Sequence, residues 1–227
     1  MPMRGGEDLE LIALQYGKTT LREDWIRTDG DASRVYPIAL LFFLIRTEEK
    51  CILVDVGCDT MPGFDLIEHE SPVVTLERAG VRREEITDVI LTHGHHDHAD
   101  ALRYYPSATV YVHENELAEV RKYMLPTQTA VTFSAPTEVA AGVRILPICG
   151  HTDGSSVVEL AMGERTVVLC GDECYHRDCF SFPQRSGGSC NRENTLAFFK
   201  TYSAPQYETV LFHDPDLVGE LGARKIR

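Results

Sequence analysis

Short apolar runs bounded by charged or glycine-containing turns recur along the chain. Residues 38–45 and 51–56 flank the charged stretch 46–50, a pattern that predicts two strands joined as a hairpin. A further strand is expected before them at 9–16. The polar stretch 17–36 between them, interrupted by Gly30 and holding the only tryptophan, Trp25, reads as a loop. Residues 73–79 predict a helix closed by Gly80, followed by a short strand at 86–91. Strand 108–112, helix 114–123, strands 143–148, 156–160 and 166–170, helix 193–202 and strand 209–212 complete the series. Strands alternate with helices in the middle and with hairpins elsewhere, so helices should pack outside sheets. No repeat or long linker divides the 227 residues, and residues 1–227 are expected to form a single domain.

The ends of these strands carry the candidate chemistry. Leu91-Thr92-His93-Gly94-His95-His96-Asp97-His98 places four donors, His93, His95, Asp97 and His98, directly after an apolar strand. Imidazole and carboxylate suit zinc and other divalent first-row metals, and Gly94, without a Cβ, permits a tight turn. A run of solvent-exposed histidines is the alternative for this segment alone. However, His151, Asp172 and His213 each follow another apolar run, and one shared metal site accounts for all four strand ends at once.

Composition narrows the function. Hydrophobic residues make up 43% and charged residues 25%, the balance of a folded globular chain. With 22 Lys and Arg against 35 Asp and Glu, the net charge of −13 disfavours nucleic acid and anionic lipid as partners. Residues 1–17 include Glu7, Asp8 and Glu10 and lack the uninterrupted apolar stretch of a signal peptide, so a cytoplasmic location is expected. Seven cysteines without a CxxC pair predict reduced thiols. Cys170, Cys174 and Cys179 could form a second metal site or be scattered core and loop thiols.

His93-x-His95-x-Asp97-His98, followed in order by His151, Asp172 and His213, resembles the HxHxDH motif and later ligands of the metallo-β-lactamase superfamily. The resemblance implies a four-layer αβ/βα sandwich, a metallo-β-lactamase-like hydrolase domain, with two divalent ions at one edge. Zinc is the first expectation, with iron, manganese or cobalt also compatible. His93, His95 and His151 would hold one ion, and Asp97, His98 and His213 the other. Asp172 would bridge them, and Asp55 resembles the family's early aspartate that supports the ligands. A hydroxide between the ions would attack an electrophilic centre, with Asp97 a candidate proton carrier.

Within that superfamily, Asp172-Glu173-Cys174-Tyr175 looks like the N-acyl-homoserine lactonase branch, where a tyrosine at this offset reaches the substrate oxygen. Its phenol would donate to a developing oxyanion, the alternative being a tyrosine that merely packs beside the site. Phe212-His213-Asp214 resembles the lactonase ending. Trp25 would either line the substrate pocket or pin its loop to the core. One departure is Ser155, which stands where many lactonases and glyoxalase II enzymes carry a second histidine. His96 faces away in the family pattern.

The expected function is therefore a two-metal hydrolase opening a lactone or similar carboxylic ester, acting on a small molecule rather than nucleic acid or membrane. A glyoxalase II-like thioesterase is the alternative, weakened because only residues 214–227 follow His213. A non-catalytic metal-binding or sensory protein is the alternative from another class. The stretch 179–190 is expected to be a mobile loop near the site.

Overall fold

The computed structural model describes residues 9–181 and 188–226. Strand β1 (Glu10–Arg22) runs into a single helical turn, α1 (Glu23–Ile26), and returns as β2 (Val35–Arg46), paired antiparallel with β1 through one irregularity between Gln15 and Gly17. Much of the loop expected at 17–36 is therefore sheet. Thr19 and Leu21 alternate inward and are buried, continuing the strand through residues of polar appearance. The turn beyond is held by the buried carboxylate of Glu23, which accepts from the Tyr36 hydroxyl at 2.9 Å and from the Asp31 amide at 2.8 Å.

From β2 the chain passes through β3 (Cys51–Val54), α2 (Pro72–Arg78), β4 (Asp88–Ile90), α3 (His96–Ala99), β5 (Thr109–His113), α4 (Leu117–Val120) and β6 (Thr129–Phe133). It continues as β7 (Thr137–Ala140), β8 (Val143–Pro147), β9 (Ser156–Met162), β10 (Arg165–Leu169), α5 (Asp178–Ser181), α6 (Arg192–Tyr202), β11 (Tyr207–Val210) and β12 (Gly222–Ile226). One sheet has the order β12-β1-β2-β3-β4-β5-β6 and the other β11-β10-β9-β8-β7.

Side chains alternate across each strand, and the two sets enter different cores. Ala39, Leu41, Phe43 and Ile45 of β2 meet Val158, Leu160, Val167 and Leu169 of the second sheet. Leu40, Phe42 and Leu44 face the other way, toward Leu76 of α2 and Leu102. On the far side of the second sheet, Val157 and Val168 pack with Phe198, Phe199 and Tyr202 of α6. The layers run helix, sheet, sheet, helix, the expected αβ/βα sandwich.

Strand direction positions the site. β3, β4 and β5 are mutually parallel, so their C-terminal ends share one edge. β8 and β10 are both antiparallel to β9, and β11 is parallel to β10, so these three also finish at a common edge. Every donor identified above lies just past one of these ends. Left-handed backbone at Asp55 (φ 57°) and Cys149 (φ 56°), both non-glycine, turns the chain sharply as it leaves β3 and β8.

Several elements differ from expectation. The helix expected at 114–123 is a tight turn followed by only four helical residues, because Glu116 turns inward to hold two loops. β6, β7 and β12 went unrecognised, since edge strands show little apolar alternation. Of the stretch 179–190, its start lies in α5, residues 182–187 lie outside the described residues, and Gly188 lies 3.1 Å from His151, measured from the position a Cβ would occupy. The seven cysteines are free, and the only clusters of three or more potential ligands among the described residues are those described below, without Cys170, Cys174 or Cys179. No helix of the described residues is long and apolar enough to cross a membrane.

Phe43 is fully buried between the sheets with its ring 4.7 Å from that of Phe212, the residue before His213. Phe43→Ala is expected to cost about 3–5 kcal/mol, seen as a lower urea midpoint at unchanged m. A loss below about 1 kcal/mol would show that this contact is not part of a close-packed core.

Candidate metal centre

Two groups of donor atoms converge where the strand ends meet. In the first, His93, His95, His151 and Asp172 place ligand atoms within 4.8 Å of one another; in the second, Asp97, His98 and His213 do the same. His95 Nδ1 lies 2.9 Å from His93 Nε2 and 3.1 Å from His151 Nε2. Imidazole nitrogens sharing a tetrahedral zinc at ordinary bond lengths stand ~3.3 Å apart, so the spacing suits a common ion.

Asp172 spans the two groups. Its Oδ1 is 3.0 Å from His98 Nε2 and 3.1 Å from His213 Nε2, whereas Oδ2 lies 3.6 Å from His151 Nε2 and 3.8 Å from His93 Nε2. Asp97 closes the second group, with Oδ2 3.6 Å from His98 and 3.9 Å from His213. All seven expected donors are thus gathered at one place, and each oxygen of Asp172 faces a different group.

The outer faces of the rings are held by the protein. His98 Nδ1 donates to Asp55 Oδ2 at 2.6 Å, and His213 Nδ1 donates to the Ala39 carbonyl at 2.9 Å. Both rings therefore turn Nε2 inward. His98 Nε2 is buried without an aligned hydrogen-bond partner, the kind of orphaned atom that a cation would satisfy. Asp55, itself fully buried, also accepts from the Thr92 amide at 2.7 Å and hydroxyl at 2.8 Å.

Electrostatics fit the same purpose. Burial holds the His93 and His151 imidazoles below their usual range, in the neutral form that ligates. Burial also opposes charge on His98, but Asp172, Asp97 and Asp55 outweigh it and raise its pKa. His213 shows the same balance, with Asp172 the main opposing influence. For the Asp172 carboxyl, burial is overcome by His98 and His213, leaving it well below the carboxylate range. These carboxylates favour positive charge at the second group, whether carried by protons or by a divalent ion.

A cavity of about 500 Å³ opens onto the donors. Tyr175 stands in its wall, stacks on His213 at 5.3 Å, and donates its phenol to Asp172 Oδ2 at 2.8 Å. Burial, reinforced by Asp172, pushes the Tyr175 pKa well up, so it keeps its proton and serves as a donor. Trp25 also lines the cavity, its ring 5.9 Å from Phe64 on the facing loop. His96 belongs to neither donor group; its Nε2 contacts the Thr60 carbonyl at 2.7 Å.

Sequence reasoning missed Glu116 and Glu173, whose carboxylates hold the loops beneath the donors. At Gly94, whose backbone is not left-handed, the missing Cβ makes room for a carboxylate: a Cβ there would stand 3.0 Å from Glu116 Oε2. Ser155 accepts from the His151 and Thr152 amides at 3.1 Å each, a backbone role in place of a second imidazole.

Fold and donor set together define a metallo-hydrolase class. The profile of the metallo-beta-lactamase superfamily matches residues 40–212, and the chain belongs to that superfamily. It is similar to N-acyl homoserine lactonase AiiB of Agrobacterium fabrum, at 22% identity over 93% of this chain and 96% of that protein. A probable metallo-hydrolase of Mycobacterium tuberculosis shares 24% identity over 81% of this chain and 74% of its own. Among solved structures, an N-acyl homoserine lactone hydrolase with N-hexanoyl-L-homoserine at its catalytic metal center matches with TM-score 0.78, at 19% identity over 94% of each chain. AidC, a dizinc quorum-quenching lactonase, matches with TM-score 0.73, at 19% identity over 99% of this chain and 95% of its own.

Removing the Asp55 carboxylate strands the Thr92 amide and His98 Nδ1 in a buried setting. Asp55→Ala is expected to lose about 1–3 kcal/mol of stability and about 10–100-fold in zinc affinity, read by chelator competition. Unchanged zinc affinity would show that His98 does not depend on Asp55 for its orientation.

Proposed function

We propose that the chain is a two-metal hydrolase that opens lactones, with N-acyl-homoserine lactones or similar carboxylic esters as substrates. The observation that carries this reading is the placement of the Tyr175 phenol on Asp172, between the two donor groups, in the wall of an apolar cavity. His93, His95 and His151 would hold one ion and Asp97, His98 and His213 the other, with Asp172 shared between them and zinc the first candidate. Ions held there would make a nucleophilic water available near neutral pH and polarise the carbonyl that is attacked.

The protein's own groups supply the rest. Tyr175, kept protonated, donates to the substrate oxygen on which negative charge develops. Asp97, more exposed than Asp172, is placed to pass a proton to the departing alkoxide, which stays tethered when the ester is a lactone. Leu21, Trp25, Ile38, Met61 and Phe64 receive an apolar acyl group. Among the described residues the cavity has no Lys or Arg to bind the carboxylates of a glutathione thioester or a phosphodiester, which favours an uncharged substrate. Free thiols at all seven cysteines support a cytoplasmic setting.

The test is turnover by the zinc- or manganese-loaded protein of acyl-homoserine lactones, simple lactones, S-lactoylglutathione, a cephalosporin and a phosphodiester. Lactones alone should be cleaved, and Tyr175→Phe should lower kcat/KM by roughly 10²-fold. Trp25→Ala should raise KM about 10-fold for long-chain lactones and little for short ones, the loss of one large apolar contact. Cleavage of the thioester or phosphodiester with lactones left intact would sink the lactonase reading and leave the hydrolase class standing.

A further inference from the structure

Two buried carboxylates outside the donor set grip the loops that carry the first donor group. Glu116, in the turn after β5, uses both oxygens: Oε2 accepts from the Gly94 amide at 2.8 Å, and Oε1 from the Thr152 hydroxyl at 2.7 Å and the Gly154 amide at 3.0 Å. It therefore ties the loop bearing His93 and His95 to the loop bearing His151. Glu173, next to Asp172 and almost fully buried, works through one oxygen. Its Oε1 accepts from the Gly150 amide at 3.2 Å, the His151 amide at 3.1 Å and the Ser155 hydroxyl. Oε2 has no hydrogen-bond partner among the described residues.

The neighbouring backbone is shaped around these carboxylates. A Cβ on Gly150 would fall 2.3 Å from Glu173 Oε2, and one on Gly154 would fall 2.7 Å from Glu116 Cγ. Thr195 Oγ1 at 2.8 Å and His113 Nδ1 at 2.7 Å close the same two positions, so neither tolerates a side chain unless the carboxylate and its neighbour both give way. The loop from Gly150 to Ser155 is thus clamped from both sides, toward His93 and His95 by Glu116 and toward Asp172 by Glu173. No comparable contact from either residue reaches Asp97, His98 or His213, and the outer partners of His98 and His213 are Asp55 and the Ala39 carbonyl.

We infer that Glu116 and Glu173 are positioning residues that set the ion affinity of the His93–His95–His151 group and leave that of the second group unchanged. This rests on the two-ion reading above. A further consequence follows from how many acceptor oxygens each uses. Replacing Glu116 by Gln turns one of its two acceptors into a donor facing another donor, whereas Gln at 173 can keep its single working acceptor. Glu116→Gln should therefore behave like a deletion, while Glu173→Gln should rescue what Glu173→Ala loses.

The experiment titrates the chelator-stripped full chain with cobalt(II), following the visible absorption of each equivalent and locating the ions by anomalous scattering from crystals. Glu116→Gln and Glu173→Ala should weaken the ion at His93, His95 and His151 about 10–100-fold. The ion at Asp97, His98 and His213 should bind as in wild type, and Glu173→Gln should bind both. Equal weakening of both ions, in step with the melting temperature of the metal-free protein, would reduce the carboxylates to general structural roles and overturn the inference. Wild-type binding of both ions in all three variants would also overturn it. A wild-type chain that takes up no cobalt would instead remove the two-ion reading itself.

Discussion

The divided carboxylate of Asp172 is the contact around which the rest is arranged. One oxygen faces His98 and His213 and the other faces His93 and His151, so a shift of this side chain disturbs both donor groups together. Burying it beside so many imidazole nitrogens is costly unless positive charge is present between them. The fold meets the condition by bringing the ends of β3, β4, β8, β10 and β11 to one edge, which requires both sheets to stack in a single relative position. The intersheet core, with Phe43 against Phe212, holds that position a few ångströms from the donors.

Much of this was legible in the sequence because donor residues and buried strands both leave dense local signals. Four donors within the six residues from His93 to His98 have no economical packing explanation, and the later donors each follow a run of apolar residues. The internal strands were visible for the same reason, being apolar on both faces. Edge strands are different. β12 reads Gly-Ala-Arg-Lys-Ile, and β6 exposes three of its five residues, so neither carries the alternation that marks a strand. The far half of β1 was obscured by its polar residues, of which the structure buries Thr19.

The supporting carboxylates were illegible for another reason. A glutamate that accepts from backbone amides needs no particular spacing to its partners, because every residue offers the same N–H. Glu116 lies 22 residues from Gly94 and 38 from Gly154 along the chain, and only the fold brings them together. The one trace they leave is indirect: glycines beside the donors, Gly94, Gly150 and Gly154, where a Cβ would come close to one of these carboxylates.

Donor site and cavity also differ in how they are built, and that difference separates reaction from substrate. The donors sit on short exits from paired strands, braced by buried hydrogen bonds, where small changes in the chain would displace several ligands at once. Trp25 and Phe64 instead project from α1 and from the loop between β3 and α2, tied to the sheet by a few contacts such as Lys18 with Ile67. Side chains there can change size without moving a donor atom. The donor site is therefore fixed by the core of the fold, whereas Trp25 and Phe64 line the part of the cavity wall that can vary independently of it.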